Sequence, residues 1–317
     1  MKISLPKSVS AVVLTYKQPD VLNLIIQGLN QQTYRGIMEI IVSDDGSPET
    51  VVKENISNIK KSKHDIKYVW QPDHGYRAAA ARNNGIRVAT NELLVFMDGD
   101  IVPHKDFIEK HVMQHTTSNL IVAGNRTWLG EISNIKTYEE LENTVPEDAA
   151  LKRGKKENIF RKELLKSTHP WRACFSANLS VRKSLEVLFD ERFIGWGPED
   201  AELCYRLCVN NGYTPIYDES IGAYHLESPD AVGNIFRKNN HNAIVNYLKN
   251  SFLFYDKCPG LELEEVFFGL KRLKLDETNM IWSVVPHSES SKIPLIELVK
   301  ISRAWLQSNH LDKVADI

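Results

Sequence analysis

The chain contains 317 residues, of which 42% are hydrophobic and 25% are charged, and its formal net charge is -2. This composition is typical of a globular protein with a sizeable core, and the balanced charge argues against a nucleic-acid partner. No apolar run approaches the roughly 20 residues that cross a bilayer, and the N-terminal residues lack the apolar core of a secretory signal. We therefore expect no transmembrane segment and a cytoplasmic location, with peripheral attachment to the inner membrane face as an option.

Short apolar runs alternate with amphipathic stretches through the first third of the chain, a pattern that predicts strands followed by helices. The predicted strands lie at 10–16, 38–43, 67–70 and 93–97, with helical spacing at 19–29, 51–66 and 76–89 between them. Strands that are joined by helices usually run parallel. We therefore predict a mostly parallel, doubly wound α/β sheet of Rossmann type, flanked by helices.

Polar side chains lie at the carboxyl end of each of these predicted strands, either in its last residues or directly after it. They belong to Thr15, Asp45, Asp73, Asp98 and Asp100. Ligands of doubly wound sheets bind beyond the carboxyl ends of the strands, so these residues should share one edge. Two carboxylates after a buried strand require a cation, and carboxylate-bound Mg²⁺ or Mn²⁺ usually also holds substrate phosphates. The Asp98-Gly99-Asp100 segment therefore predicts a metal that binds a nucleotide diphosphate, and an ordinary surface turn is the alternative.

The helix predicted at 76–89 is rich in alanine, which favours helix formation. It carries three arginines at intervals of five residues, Arg77, Arg82 and Arg87. Five residues is not a helical repeat, so these side chains fan around the helix. At most one or two of them can point into a common site.

The middle of the chain has a less regular pattern. It predicts a helix from Pro103-His104 to about His115, a strand at 120–124 and a strand at 173–181. The charge-rich stretch 131–168 lacks clean periodicity, which is consistent either with a helical or mobile insertion over the site or with a solvated excursion. From residue 230 onward the apolar spacing predicts mainly helices.

A second acidic motif is the segment from Gly195 to Asp200, Gly-Trp-Gly-Pro-Glu-Asp. Two glycines around Trp196 predict a turn that presents an aromatic ring, and Pro198 suits the first position of a helix. Glu199 and Asp200 would then lie in the first helical turn, where the helix dipole favours anions. An ordinary helix start with two acidic residues is the alternative.

In combination these motifs resemble the family-2 glycosyltransferases of GT-A fold. The second half is similar to the galactosyltransferase-type segment of β-1,4-galactosyltransferases and bacterial chondroitin-type polymerases. The resemblance covers about residues 9–228, and its most specific segments are 43–47, 72–83, 97–100 and 195–200.

The resemblance implies a domain organisation. It predicts a GT-A catalytic domain over residues 1–228, with a nucleotide half at about 9–125 and an acceptor half at about 126–228. Residues 229–317 would form a mainly helical C-terminal extension, which is also a candidate surface for a homodimer.

The resemblance also implies a role for each matched residue on the nucleotide side. Thr15 and Tyr16 would line the uracil and ribose pocket, and Asp45 would accept a hydrogen bond from uracil. Asp73 and Arg82 would complete the nucleotide site.

The metal and catalytic residues are implied in the same way. Asp100 would coordinate the metal that bridges the diphosphate, Asp98 would contact ribose or a metal-bound water, and His225 matches a further metal ligand. A histidine ligand favours Mn²⁺ over Mg²⁺, which prefers oxygen ligands. Asp200 would act as the base and Glu199 would bind the donor sugar or acceptor hydroxyls. The residues implied to line the sugar and acceptor site are Trp196, Gly197 and Asn178.

The implied activity is metal-dependent transfer, with inversion, of a hexose or N-acetylhexosamine from a UDP-sugar to a glycan, peptide or small-molecule acceptor. Galactose, N-acetylgalactosamine, glucose and N-acetylglucosamine all remain open as the donor sugar. One alternative is a nucleotidyltransferase, which is disfavoured because no glycine-rich phosphate loop follows Thr15. Another is a catalytically silent scaffold protein that binds a UDP-sugar.

Overall fold

The computed structural model describes residues 4–131, 135–227, 240–258, 260–267, 269–276, 278–279 and 281–311. These residues form two compact units. The first, which we call the sheet unit, comprises the described residues of 1–74, 80–189 and 203–230. The second unit comprises the described residues of 75–79, 190–202 and 231–317.

Four parallel strands form one half of the central sheet in the sheet unit. They are β1 (Ser8–Thr15), β2 (Ile37–Asp44), β3 (Asp65–Trp70) and β4 (Leu93–Met97). Strand β1 pairs in parallel with both β2 and β4, and β2 pairs in parallel with β3. The four strands predicted from the apolar runs are therefore confirmed.

The other half of the sheet is mixed. It contains β5 (Ile101–Pro103), β6 (Leu120–Glu131), β7 (Asn178–Arg182) and β8 (Thr214–Glu227). The full order is β3-β2-β1-β4-β7-β6-β8-β5. Strand β7 is antiparallel to β4 and β6, and β5 is antiparallel to β8, whereas β6 and β8 are parallel. Most strands thus share one direction, which confirms the mostly parallel α/β sheet.

The α-helices that begin among the described residues before 228 are α1 (Pro19–Asn30), α2 (Glu49–Ile59), α3 (Ala78–Val88), α4 (Phe107–Gln114), α5 (Tyr138–Glu142), α6 (Asp148–Leu165) and α7 (Glu199–Tyr205). Helix α1 begins at a proline, whose fixed φ suits the first turn. Helices α5 and α6 occupy much of the charge-rich stretch 131–168, so its helical interpretation is confirmed there. The short strand β5 was not predicted, and the helix expected from Pro103 begins instead at Phe107.

The core of the sheet unit explains why a carboxylate pair can be held at its edge. All five residues of β4 are buried, and β1 is buried from Val9 to Thr15. Burial of one large aliphatic side chain contributes roughly 1.5 to 3 kcal/mol, so this strand pair anchors the sheet strongly. The segment that directly follows β4 is therefore attached to a rigid, buried part of the sheet.

The second unit contains helices α8 (His241–Lys257), α9 (Leu263–Val266) and α10 (Leu295–Ser308). It also contains an antiparallel hairpin of β9 (Leu273–Asp276) and β10 (Ile281–Val284), which the sequence analysis did not predict. Across the described residues of the whole chain, none of the helices combines the length and the apolar character needed to span a bilayer.

Candidate metal and nucleotide site

The predicted site residues of the first four strands do share one edge of the sheet. In the parallel register Thr15 pairs with Asp44, and Val13 pairs with Met97. The backbone N–H of Asp45 donates to the carbonyl oxygen of Thr15 at 3.0 Å, so the ends of β1 and β2 are joined directly. Asp98 directly follows β4, which pairs with the other side of β1. The carboxyl ends of β1, β2 and β4 therefore lie at one edge of the sheet.

Two of the implied nucleotide residues contact each other. The hydroxyl of Tyr16 donates to Oδ2 of Asp73 at 2.9 Å, and Nζ of Lys17 lies 3.5 Å from the same oxygen. Gly46, at φ 93°, makes this approach feasible, because a Cβ there would lie 2.5 Å from Cα of Asp73. Only glycine combines that φ with that space.

The adjacent carboxylates Asp44 and Asp45 have separate tasks. Asp44 is 1% exposed and accepts from the backbone N–H of Ser47 at 2.8 Å, which closes the turn after β2. Asp45 accepts from Nε2 of Gln71 at 2.6 Å, and Gln71 in turn accepts from Asn84 at 2.9 Å. Asp44 is therefore a structural residue, and the sequence analysis named only Asp45 as a site residue.

Asp98 is paired with one of the two arginines on α3, which begins at Ala78 and therefore does not include Arg77. Nη2 of Arg82 donates to Oδ1 of Asp98 at 2.8 Å, and the arginine side chain is only 3% exposed. Arg87 donates instead to Asn84 at 2.9 Å. Arg82 is therefore the arginine of α3 that reaches the strand-end carboxylates in the sheet unit.

Gly99 separates the two aspartates for a steric reason. A Cβ at this position would lie 2.6 Å from the carbonyl oxygen of Leu14 and 3.3 Å from Cα of Thr15. The segment after β4 thus passes too close to the end of β1 for any side chain. This close approach brings Asp98 and Asp100 to the ends of the parallel strands.

Asp100 and His225 form the second pair at this edge. Nε2 of His225 lies 3.1 Å from Oδ2 of Asp100, and the two side chains are 10% and 28% exposed respectively. Burial raises the pKa of Asp100, but the charge and hydrogen bond of His225, with the charge of Arg126, outweigh burial and hold that pKa below its ordinary value. The carboxylate is therefore ready to bind a cation near neutral pH.

The donor set of this pair fits a divalent ion of the Mn²⁺ or Mg²⁺ kind. Adjacent ligands of an octahedral ion with bonds of about 2.1 Å are about 3.0 Å apart, close to the observed separation of Nε2 and Oδ2. Nδ1 of His225 is buried and has no hydrogen-bond partner among the described residues. No group of three or more His, Cys, Asp or Glu side chains suited to a metal occurs within the described ranges. A metal held here would therefore take its other ligands from substrate and water, as Mg²⁺ usually does.

An aromatic and basic cluster flanks His225. The ring of Trp128 lies 3.7 Å from the His225 ring, and the guanidinium groups of Arg126 and Arg153 lie 5.4 and 3.3 Å from the Trp128 ring. Glu157 of α6 accepts from Trp128 at 2.9 Å and from Arg126 at 3.1 Å. Helix α6 therefore holds in place the Arg126 and Trp128 side chains that flank His225.

The same cluster controls the ionisation of Glu157. Burial raises its pKa, but the charges of Arg126 and Arg161 outweigh burial and lower that pKa to about 2. Sequence analysis missed these residues. The only signal was the Glu157–Arg161 spacing of four residues, which favours a helical ion pair but identifies no partner on β6.

Asn178, which the resemblance implies lines the sugar and acceptor site, is buried in the sheet unit. Its side chain is 1% exposed, and Nδ2 donates to the carbonyl oxygens of Asn125 at 2.9 Å and Ile221 at 3.2 Å. Oδ1 lies 2.9 Å from Nε2 of His111. These bonds use both donors of the carboxamide and one acceptor site of its oxygen, so this buried side chain supports the sheet.

The Gly195–Asp200 turn lies in the second unit, and hydrogen bonds to its backbone groups hold it in place. The N–H of Gly195 donates to the carbonyl oxygen of Tyr76 at 2.8 Å, and Gly195 and Gly197 have φ values of 87° and 51°. Nδ2 of Asn250 donates to the carbonyl oxygens of Ile194 at 3.0 Å and Gly197 at 2.7 Å. The predicted glycine turn is therefore present.

The acidic residues after this turn lie where the helix prediction expects them. Helix α7 begins at Glu199, directly after Pro198, so Glu199 and Asp200 both fall in its first turn. Glu199 is 6% exposed, and Asp200 accepts from the N–H of Ala201 at 2.8 Å. Glu202, which the sequence analysis did not mention, is bound by Nζ of Lys257 at 2.7 Å.

The ring of Trp196 contacts an aromatic neighbour in the second unit. Its centroid lies 6.0 Å from that of the Tyr247 ring, and the two ring planes are inclined at 37°.

Comparison with known families agrees with this geometry. The family model described as glycosyl transferase family 2 matches residues 10–185. This chain belongs to the family-2 glycosyltransferases.

The individual relatives share less than a third of their aligned residues with this chain. A hyaluronan synthase of Pasteurella multocida is 28% identical over 275 residues, which are 80% of this chain and 28% of the synthase. A validoxylamine A glucosyltransferase of Streptomyces hygroscopicus is 29% identical over 279 residues, which are 82% of this chain and 63% of that enzyme. The chain thus spans less than two thirds of the length of these relatives.

A solved structure supports the fold. The mannosyltransferase PcManGT of Pyrobaculum calidifontis, solved with GDP-Man and Mn²⁺, superposes with a TM-score of 0.56. The match covers 98% of this chain and 76% of that one at 12% identity, so it concerns the fold alone.

Proposed function

We propose that this chain is a metal-dependent, inverting glycosyltransferase that moves a hexose or N-acetylhexosamine from a UDP-sugar to an acceptor hydroxyl. The observation that carries the proposal is the Asp100–His225 pair, with 3.1 Å between Oδ2 and Nε2. It lies at the carboxyl ends of the parallel strands, where sheets of this kind bind nucleotides. Membership of the family supports the same reading.

The nucleotide would bind along the ends of β1 to β3. Thr15 ends β1 with a hydroxyl oxygen that is buried and without a hydrogen-bond partner among the described residues, which suits a donor on the nucleoside. Asp45 and Asp73 supply carboxylate oxygens for the N–H and hydroxyl groups of uridine, and the ring of Tyr16 lies beside Asp73. Arg82 orients Asp98 toward the ribose through its 2.8 Å bond.

The diphosphate would be held by the next residues of the same edge. Asp100 and His225 would hold Mn²⁺, and a divalent ion there would supply positive charge to stabilise the UDP leaving group. Mn²⁺ fits a mixed oxygen and nitrogen set better than Mg²⁺ does. Arg126 and Arg153, which flank Trp128 beside His225, add positive charge near that diphosphate.

The acceptor requires a base, and we assign that role to Asp200 from the match of its motif to the family. Asp200 would take the proton of the attacking hydroxyl while the bond to UDP breaks, which inverts the anomeric carbon in one displacement. Glu199 would hold hydroxyls of the donor or acceptor sugar. Trp196 offers a ring face of the kind on which sugars stack, and Gly197 shapes the turn beside it.

The donor sugar and the acceptor are proposed only by class. A glycan acceptor is suggested by the hyaluronan synthase, whereas the validoxylamine glucosyltransferase has a small-molecule acceptor in its name. A peptide acceptor, a homodimer through the C-terminal helices and a cytoplasmic location remain predictions of the sequence.

The proposal is tested with a panel of UDP-sugars and UDP release as the readout, first without an acceptor. We expect slow hydrolysis of one donor, its loss in EDTA and its recovery with added Mn²⁺. Release of inorganic diphosphate instead of UDP would indicate a nucleotidyltransferase. UDP binding without any turnover, with or without acceptors, would indicate a silent binding protein, and both results contradict the proposal.

A further inference from the structure

A break in strand pairing lies between the core and the metal pair. Strands β6 and β8 pair Gly124 with Asp218, but the next pair is Asn125 with Gly222. Three residues of β8 are thus accommodated without partners on β6, which is a bulge of the kind that bends a strand and changes the direction of its side chains. The register of β8 against β6 beyond this bulge depends on the hydrogen bonds that hold the bulge together.

Asn178 closes the bulge from the neighbouring strand. Its Nδ2 donates to the carbonyl oxygens on both sides of the break, Asn125 at 2.9 Å and Ile221 at 3.2 Å. Gly124 leaves room for the carboxamide, since a Cβ there would lie 2.5 Å from Nδ2 of Asn178 and 2.4 Å from the carbonyl oxygen of Ile221. The carboxamide of Asn178 therefore packs directly against the backbone of Gly124, where a side chain would displace it.

The orientation of this carboxamide is set by a buried chain of hydrogen bonds. With Nδ2 donating to two carbonyl oxygens, Oδ1 must accept from Nε2 of His111 at 2.9 Å. Nδ1 of His111 then accepts from the hydroxyl of Ser180 at 2.8 Å, and that hydroxyl accepts from Nε2 of His115 at 2.8 Å. One arrangement of protons satisfies the whole chain, so Asn178 cannot rotate without breaking it.

The strand beyond the bulge carries His225. There β8 pairs His225 with Trp128 of β6 and with Ile101 of β5, and the N–H of Leu226 donates to the carbonyl oxygen of Asp100 at 2.9 Å. A shift of one residue in this register would move the imidazole to the other face of the sheet. The Asp100–His225 pair therefore depends on this register, in which the β6–β8 bulge and the β5–β8 pairs agree.

We propose that Asn178 is a positioning residue that fixes the register of β8 and thereby places His225 beside Asp100. Its importance for metal binding rests on the proposed function. The resemblance implied that Asn178 contacts sugar or acceptor, and this inference replaces that contact with an action through the bulge.

The experiment compares Asn178→Ala with Asn250→Ala in the full chain. Asn250 is a matched control because it is 3% exposed and also donates to two backbone carbonyl oxygens, but those belong to the Gly195–Asp200 turn. Two quantities are measured, namely Mn²⁺ binding in the presence of UDP by electron paramagnetic resonance, and metal-free hydrogen exchange in peptides spanning 221–227.

We expect Asn178→Ala to weaken Mn²⁺ binding by about 10- to 100-fold, the usual effect of losing a residue that orients a metal ligand. Exchange in 221–227 should become faster relative to 93–97 in β4. Asn250→Ala should leave both quantities within about twofold of the parent. Should Asn178→Ala fail to fold, Asn178→Ser, which keeps one hydroxyl donor, replaces it in the same comparison.

Parent-like Mn²⁺ affinity together with parent-like exchange in 221–227 would overturn the inference. An equal loss of Mn²⁺ affinity in Asn250→Ala would also overturn it, because the effect would then be one of general stability. If the parent protein binds no Mn²⁺, the proposed metal site fails, and the exchange comparison alone decides whether Asn178 positions β8.

Discussion

The two acidic motifs of this chain are built in different ways. In the sheet unit Asp98 and Asp100 each have a charged or imidazole partner, Arg82 at 2.8 Å and His225 at 3.1 Å. The turn that precedes Glu199 in the second unit is shaped by the backbone, through two glycines with positive φ and two bonds from Asn250. In the proposed function the first construction prepares charges for a cation and a diphosphate, whereas the second fixes the shape of a loop. Substitutions should therefore separate binding of metal and nucleotide from turnover.

The largest effect is expected from Asp100→Ala. It removes the carboxylate of the metal pair, so Mn²⁺-stimulated UDP release should fall by at least about 100-fold, to the level seen with EDTA. UDP release and Mn²⁺ binding are measured on the same samples. Asp20→Ala is the control, because that carboxylate is 81% exposed at the start of α1. Activity that survives both Asp100→Ala and EDTA would refute metal dependence.

Asp200→Asn tests the other side of the comparison. Loss of a general base should slow single-turnover transfer by about 10²- to 10⁴-fold, while Mn²⁺ and UDP bind as in the parent. Glu199→Gln is measured beside it and should chiefly weaken sugar binding. If Asp200→Asn turns over at the parent rate, the assignment of the base is wrong.

Acid should weaken the sheet unit through its buried histidines. Burial lowers the pKa of His111 to about 4, although its bond to Asn178 acts in the opposite direction, and burial lowers the pKa of His115 to about 3. Both pKa values lie below that of the unfolded chain, near 6.5, so the unfolded state binds more protons and stability falls as pH decreases below about 6.5. The loss should continue to about pH 4 and reach about 3 kcal/mol for His111 alone.

Urea unfolding between pH 7 and 4 measures that loss. His111→Gln, which cannot titrate, should show a flatter dependence on pH than the parent, whatever its stability at pH 7. Identical slopes for the two proteins would show that His111 is not responsible.

The smallest effects are expected from a pair of glycines. Gly99→Ala places a methyl group 2.6 Å from the carbonyl oxygen of Leu14 and should cost about 1 to 3 kcal/mol. Gly197→Ala meets nothing within 4 Å and strains only its φ of 51°, which should cost about 1 kcal/mol. Thermal unfolding ranks the two variants. Gly99→Ala should also weaken Mn²⁺ binding, and the opposite ranking would contradict the steric role of Gly99.

Much of the sheet follows from local pattern. The run at 93–97 is apolar throughout, and the run at 38–43 has an apolar centre of Ile40, Ile41 and Val42, because both faces of these strands are buried. Such short apolar runs are typical of parallel strands. The strand-end carboxylates could be predicted for the same reason, since parallel strands end at one edge. The hairpin of β9 and β10 and the short strand β5 have no comparable signal, because a four-residue or three-residue strand is too short to show a period.

The supporting residues of the site could not be predicted in the same way. Glu157 reaches Arg126 and Trp128 from a helix about 30 positions further along the chain, and only tertiary structure brings them together. The resemblance implied that Asn178 lines the sugar and acceptor site, but its Nδ2 donates to two carbonyl oxygens beside the break in the β6–β8 pairing. A register shift of this kind leaves no local pattern in the sequence, so its consequence for His225 needs the structure.

The central claim is that Asp100 and His225 together hold the metal that binds UDP. Electron spin echo spectroscopy of the protein with one equivalent of Mn²⁺ and UDP tests it most directly, because a coordinated imidazole nitrogen modulates the echo. We expect ¹⁴N modulation in the parent protein and its disappearance in His225→Gln, with Asp100→Ala binding Mn²⁺ too weakly to give the bound spectrum. A bound Mn²⁺ without ¹⁴N modulation, or with modulation that persists in His225→Gln, would contradict the claim.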